Sequence, residues 1–422
     1  MKNLDVFFLS KVKTLYQNYL ENFRGLSKEI WMLSLVTLIN RTGAMVIPFL
    51  SLYLMKELNF SFVQVGWIMT CYGLGSVLGT YIGGRITDII GYYNVVVLSL
   101  VLGGLGFISL QWASGFYGVC SAIFVVMFLV DGYRPAVFVA AEVYSTPQTV
   151  TRAIALIRLA INLGFSIGPL VGGIIIATAG YNAIFWIDGV SCMIAAGVML
   201  LSLKAVKAPT KAERKAIIKH GAPPLRNRPF LIYFLLMMLI AIVFVQYFSL
   251  VPIYYEKIYN LSEDVIGWIL FLNGAMIVLT EMPLVGWLER SKISKARLVA
   301  IGTLFLAASF LVLNIGHHFG LLIVGMILMT IGEMIESPFS NALALELSPQ
   351  GRKGSYMGMY SMSWSFSHVF GHNTGMNMAD RLGFGMTFNI FGIGLIIIAL
   401  ICDRMHKVWK QSVTFIQSNK EA

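Results

Sequence analysis

The feature that most constrains this chain is a succession of twelve apolar runs, at residues 30–54, 62–84, 93–112, 117–144, 154–178, 183–203, 229–255, 265–288, 296–315, 320–345, 355–378 and 384–402. A helix needs about 20 mostly apolar residues to cross a hydrocarbon core of ~30 Å, and each run is of that order. The runs are continuously apolar with glycine scattered through them. They lack the alternation of a membrane barrel strand, so helices are the elements that satisfy their backbone hydrogen bonds. With 57% hydrophobic and 12% charged residues the chain is too apolar for a soluble domain. The expected fold class is an all-α membrane protein of twelve transmembrane helices.

A formal charge of +11 invites a nucleic-acid reading, and the placement of the cations answers it. With the N-terminus set in the cytoplasm, 25 of the 31 Lys and Arg residues fall on that side, in both tails, at Arg85 and Arg152, and in the segments 204–228, 290–297 and 352–353. Only Lys56, Lys257 and Arg381 fall on the other. This asymmetry predicts cytoplasmic termini in the plasma membrane, the inner membrane of a bacterium. The basic excess then faces anionic lipid, with no nucleic-acid partner. Residues 6–23 carry an apolar helical face opposite Lys11, Lys13 and Gln17 and are expected to lie in the interface. Residues 1–29 hold five cations and no uninterrupted apolar core, so no cleavable leader is expected there. Cys71, Cys120, Cys192 and Cys402 lack a CxxC spacing and read as small packing residues.

The basic stretch 204–228 is the one long polar interruption, and the two sides of it match. Tyr53, Lys56, Asn59, Ser61, Gly66, Trp67, Ile68 and Asp88 have counterparts 201 positions on, at Tyr254, Lys257, Asn260, Ser262, Gly267, Trp268, Ile269 and Glu289. Asp131 and Arg134 meet Glu333 and Glu336 at offset 202, and Gly168, Gly172 and Gly180 meet Gly371, Gly375 and Gly383 at 203. The expected domains are a tail 1–29, a six-helix bundle 30–203, a linker 204–228, a second bundle 229–403 and a tail 404–422. Parallel repeats of this kind place a substrate site near the midplane between them.

Twelve spans, a 6+6 repeat and a basic central loop resemble the major facilitator superfamily, over residues 30–403. Between the second and third helices that family carries G-x-L-x-D-R-x-G-R-R; Gly84, Ile86, Asp88 and Gly91 match, while Ile89, Tyr92 and Tyr93 replace its cations. The resemblance implies that Asp88 caps a helix of the other half and holds the cytoplasmic side closed. Glu142 and Arg152 are placed to supply the missing charge relay. The ridge Gly164-x-x-x-Gly168-Pro169-x-x-Gly172-Gly173 is similar in full to the fifth-helix pattern of the antiporter branch. Its small residues permit close helix approach and its proline a bend, as a gating surface requires.

An ionisable group at mid-membrane costs at least ~2.5 kcal/mol, so each needs a partner or a task. The first half buries Arg41, Asp131, Arg134, Arg158 and Asp188; the second buries Glu281, Glu333 and Glu336, with His368 and His372 and no cation. Asp131 and Arg134 share a helix face and can pair with each other or with Arg41. Glu333 and Glu336 stand one turn apart, and two desolvated carboxylates resist being charged together, which suits a proton carrier or a cation site. Asp131, Glu333 and Glu336 are the candidates for proton exchange. Arg41, Arg134, Asn40, Glu281, His368 and His372 are the candidates for substrate contact. Each set also admits a purely structural reading, as fixed ion networks or satisfied interior polar groups. His368 and His372, four apart, are weak metal ligands at best.

No nucleotide-binding pattern is present, so the expected energy source is an ion gradient, and no enzyme or cofactor is expected. The resemblance implies a monomeric proton antiporter that exports a small, partly apolar compound by alternating access. Alternatives are a proton symporter for a zwitterionic or peptide-like substrate, a divalent-metal exporter, and a non-transporting lipid scramblase or receptor.

Overall fold

A computed structural model of the chain describes residues 23–205 and 222–421. The interfacial helix expected over 6–23, its last residue apart, and most of the segment 204–228 lie outside the described residues. Among the described residues, eleven helices are long and apolar enough to cross a membrane: α1 (Lys28–Lys56), α2 (Val63–Ile90), α3 (Tyr92–Trp112), α4 (Phe116–Val143), α5 (Val150–Ala179), α6 (Tyr181–Ser202), α7 (Arg228–Tyr259), α8 (Val265–Glu289), α9 (Lys295–Val312), α10 (Phe319–Glu346) and a last one, Thr374–Gln411.

The backbone explains the difference from twelve. Lys353–Phe366, with Ser355, Ser361, Ser363 and Ser365, is short and polar. It continues through a π-helical turn, Ser367–Gly371, into His372–Glu421, which is itself broken at Gly383 with φ 78°. Residues 353–382 thus make α11 and residues 384–421 make α12. Serines lower the hydropathy of the first part of α11, which packs on other helices; Ser355, Ser361, Ser363 and Ser365 are all buried.

The repeat seen in the sequence has a backbone counterpart. Asn59 and Asn260 end α1 and α7 in the left-handed region, at φ 54° and 50°, and Gly180 and Gly383 turn the chain at φ 79° and 78°. Asparagine and glycine are the residues that tolerate this conformation. α1 is interrupted between Gly43 and Val46, and α7 between Phe244 and Gln246, again about 201 positions on. Local backbone chemistry, not only hydrophobic content, is therefore duplicated.

Two seams join the first six helices to the last six, α2 against α11 and α5 against α8, with α4 also packing on α11 and α10 reaching α5. On the first, Ser76 and Ser365 hydroxyls hydrogen-bond at 2.9 Å. Nearer the end of α2, a Cβ on Gly84 would fall 2.7 Å from Gly358 Cα, and one on Gly358 2.7 Å from the Thr80 carbonyl oxygen. Backbones this close exclude any side chain. By contrast Gly66 of α2 and Gly267 of α8 have nothing within 4 Å. The seams are closed at the end of the bundle that holds Gly91, Arg152 and Arg352.

The α2–α11 seam yields a measurable expectation. Cysteines introduced together by Ser76→Cys and Ser365→Cys should oxidise readily to a disulfide, since their hydroxyls already touch. Adding Gly84→Leu should prevent it by prising the helices apart, with the mobility shift of a non-reduced gel as the readout; unchanged cross-linking would mean that the helices do not meet there.

Candidate functional site

At the closed end, side chains from each half seize helix starts of the other. Asp88, at the end of α2, accepts the Gly354 amide at 2.6 Å and the Ser355 amide at 2.8 Å, and Ser355 Oγ also donates to it. These are unpaired N–H groups at the positive end of α11, where a carboxylate is worth about 0.3–1 kcal/mol or more. Gly91, at φ 86°, forms the one-residue turn between α2 and α3. Glu142 of α4 pairs with Lys353 beside that cap. Glu289, the repeat counterpart of Asp88, pairs with Arg152 at the start of α5, Nε to Oε2 2.7 Å, and Arg152 also donates to the Arg24 carbonyl at 3.1 Å. The two latches are thus copies: the end of the second helix in each half holds the start of the fifth helix in the other.

Eight residues deeper in α8, about 12 Å at ~1.5 Å per residue, lies a second cross-half contact. Arg158 of α5 donates through Nε to Glu281 of α8 at 3.1 Å and through a terminal nitrogen to Glu333 of α10 at 3.2 Å. Asn273 Nδ2 donates to the other Glu333 oxygen at 3.0 Å and lies 3.1 Å from Thr330 Oγ1. Glu281 is fully buried, and its Oε2 has no partner. Among Glu281, Glu333 and Glu336, Glu336 is the exception. It receives Ser337 Oγ at 3.0 Å, its backbone lies against Gly302 of α9, and it makes no ion pair with Arg158.

In the first half Asp131 and Arg134 pair with each other, 2.9 Å from Nε to Oδ1, as their spacing predicts. Arg41 joins no carboxylate. Its guanidinium lies 5.9 Å from the Tyr133 ring centroid and 5.5 Å from that of Phe165, and its Nε is buried without an acceptor. Asp188 accepts the Val46 amide at 3.3 Å, capping the second piece of α1 at its break.

Three expectations are corrected. Asn40 does not face a cavity: its amide is directed at Cys192 of α6, 3.3 Å away, because its side of α1 packs within the same half. The ridge of α5 is likewise internal to its half. A Cβ on Gly164 would lie 2.8 Å from the Arg41 carbonyl carbon, one on Gly168 3.3 Å from the Thr42 oxygen, one on Gly172 3.0 Å from the Phe49 ring and one on Gly173 3.7 Å from it. The ridge seats the break of α1, with Pro169 in the same helix, and is not a surface of either cross-half seam. In α11 the counterparts Gly371 and Gly375 seat Val245 and Gln246 at the break of α7. Glu336, expected beside Glu333 as a proton carrier, accepts from Ser337 Oγ and does not join the Arg158 bridge. The side chains of His368 and His372 lie outside the described residues; among those described, no grouping of His, Cys, Asp and Glu suits a metal.

Residues 31–372 match the sequence profile of the Major Facilitator Superfamily. The chain belongs to that superfamily. It is an integral membrane transporter of small molecules and not an enzyme. The MFS-type transporter YttB of Bacillus subtilis is 23% identical over 390 residues, 89% of this chain and 95% of its own length. The multidrug resistance protein MdtH of Yersinia enterocolitica is 24% identical over 340 residues, 79% of this chain and 82% of its own. The crystal structure of the human organic anion transporter MFSD10 superposes with a TM-score of 0.70 at 16% identity, covering 89% of this chain and 99% of that one, a likeness of fold alone.

Arg158 is the residue that sequence reasoning passed over. Its signal was present: three acids in one half with no cation there require one from elsewhere, and Arg158 is the cation on the helix that faces them. The Arg152–Glu289 latch can be checked by charge exchange. Arg152→Glu alone places like charges together, a penalty on the order of 1–4 kcal/mol, and should lower transport tenfold or more. Arg152→Glu with Glu289→Arg should recover most of it, and no recovery would mean that the pair does not act as a latch.

Proposed function

We propose that this transporter is a proton-coupled antiporter that exports a small, partly apolar compound from the cytoplasm, and that Glu281 and Glu333 carry the proton. The observation behind this reading is the bridge from Arg158 to both carboxylates across the α5 seam. Two buried carboxylates share one guanidinium, so the cluster has room for a proton. Protonating Glu281 or Glu333 removes the charge that holds Arg158, and the bridge gives way. The α5–α8 seam can then part, and deprotonation on the far side restores it. Coupling follows because the same bond that stores the proton also sets the conformation.

In this reading the latches at Asp88, Glu142 and Arg152 hold the cytoplasmic end closed, with both termini on that side of the inner membrane. The two bundles, 30–203 and 229–403, rock as a monomer around the bridge. The α5 glycines let α1 bend and do not form a sliding face. Efflux is favoured by the relationship to MdtH. The charge asymmetry between the halves supports one second reading, a proton symporter for a zwitterion.

The test uses purified protein in liposomes with an imposed pH gradient. Glu281→Gln and Glu333→Gln should each abolish gradient-driven transport while leaving substrate-for-substrate exchange within about threefold of wild type. Wild-type pH dependence in both variants would remove these residues from coupling, and accumulation in the direction of the proton flow would establish the symporter. Arg158→Gln leaves two buried carboxylates uncompensated, a loss of about 3–5 kcal/mol. It should lower the yield of folded protein, and adding Glu281→Gln and Glu333→Gln should restore it.

A further inference from the structure

We propose that the transported compound is an amphiphilic organic anion and that Arg41 is the receptor for its oxyanion. The inference rests on the transport reading above and names what is carried. Arg41 is 7% exposed, and a guanidinium so enclosed is ordinarily neutralised by a carboxylate. Neither nearby acid closes an ion pair with Arg41: Asp131 gives one oxygen to Arg134 and keeps Oδ2 without a partner, and Asp188 holds the Val46 amide. Arg41 has two aromatic rings for neighbours and a buried Nε without an acceptor. A planar fork of donors lacking an acceptor is suited to a carboxylate, sulfonate or phosphonate.

The site opens toward the space between the halves. Asn162 and Phe165 follow Arg158 at i+4 and i+7, which puts them on the face of α5 turned to the other half. The Nδ2 of Asn162 is a second buried donor without a partner. Phe165 is in contact with Arg41 yet 46% exposed, and the Arg134 side chain retains 22% exposure. An oxyanion bonded to Arg41, with Asn162 and Arg134 at hand, would lay its apolar body along the Phe165 ring. The carboxylates of Glu281 and Glu333 lie across the same interface, so an arriving anion meets them only when they are protonated or held by Arg158. A cation would meet two arginines on this side instead.

Three probes of equal aromatic size decide the matter: p-toluenesulfonate, p-toluenesulfonamide and phenyltrimethylammonium. In detergent, the sulfonate should raise the midpoint of thermal unfolding followed by tryptophan emission, while the neutral and cationic probes should not. Arg41→Gln should cut the apparent affinity for the sulfonate at least tenfold, and Arg41→Lys less. Phe165→Ala, which leaves the cation in place, should weaken sulfonate binding without making the cation bind. Stabilisation by the cation alone, by all three equally, or by none, or an unchanged affinity in Arg41→Gln, overturns the proposal. Binding needs no gradient, so the coupling reading is judged separately in liposomes. Arg41-dependent binding without proton movement sustains the anion site and removes coupling, and proton movement driven by phenyltrimethylammonium does the reverse.

Discussion

A guanidinium buried between two carboxylates of the opposite half is the interaction on which the rest of this architecture turns. In the low dielectric of the bundle, Arg158 cannot lose Glu281 and Glu333 without leaving charges of both signs uncompensated. The bridge therefore discriminates sharply between states with the α5–α8 seam closed and states with it open. A hydrophobic contact of the same area would resist separation more gradually. Asn273 adds to this by fixing one Glu333 oxygen, which leaves the other free to aim at Arg158.

Closer to the closed end the same interface is held by helix ends and not by buried charge. Asp88 on the start of α11 and Glu289 on Arg152 at the start of α5 are the same device used twice, because the two halves derive from one pattern with offset 201. Half-buried contacts of this kind at helix ends are individually modest. Their effect comes from position: they sit at the far end of the helices that carry the interior bridge, where a small separation is amplified along the length of α5 and α8.

How much of this could be read from the chain depended on whether the signal was local. Helix count, the repeat, Asn59 with Asn260, and Gly180 with Gly383 are written in short stretches and appear in the backbone as positive φ angles at matching places. The Asp131–Arg134 pair is likewise a matter of spacing three. Which face of a helix meets which neighbour is not local. The pattern gave no means of telling that Asn40 looks to Cys192, that Glu336 backs onto Gly302, or that the α5 glycines seat α1. The Arg158 bridge lies between these cases: its partners stand 123 and 175 residues away, but the imbalance of charge between the halves demanded it.

The interruption of α1 ties these observations to the charge on Arg41. Breaking a helix inside a membrane exposes carbonyls at the end of one piece and amides at the start of the next, each costly in hydrocarbon. Here the first piece ends with Arg41 in its last turn and the second begins under Asp188, so a cation stands at the negative end and a carboxylate at the positive end. That arrangement lets Arg41 remain buried without a carboxylate of its own, since helix carbonyls and ring faces supply the negative potential. The α5 glycines are what allow the break to sit so near the interface, because any Cβ at Gly164 would collide with Arg41 itself. The glycine ridge, the broken helix and the unpaired arginine are therefore one construction. It holds a positive charge, lacking a carboxylate partner, within reach of the space between the halves.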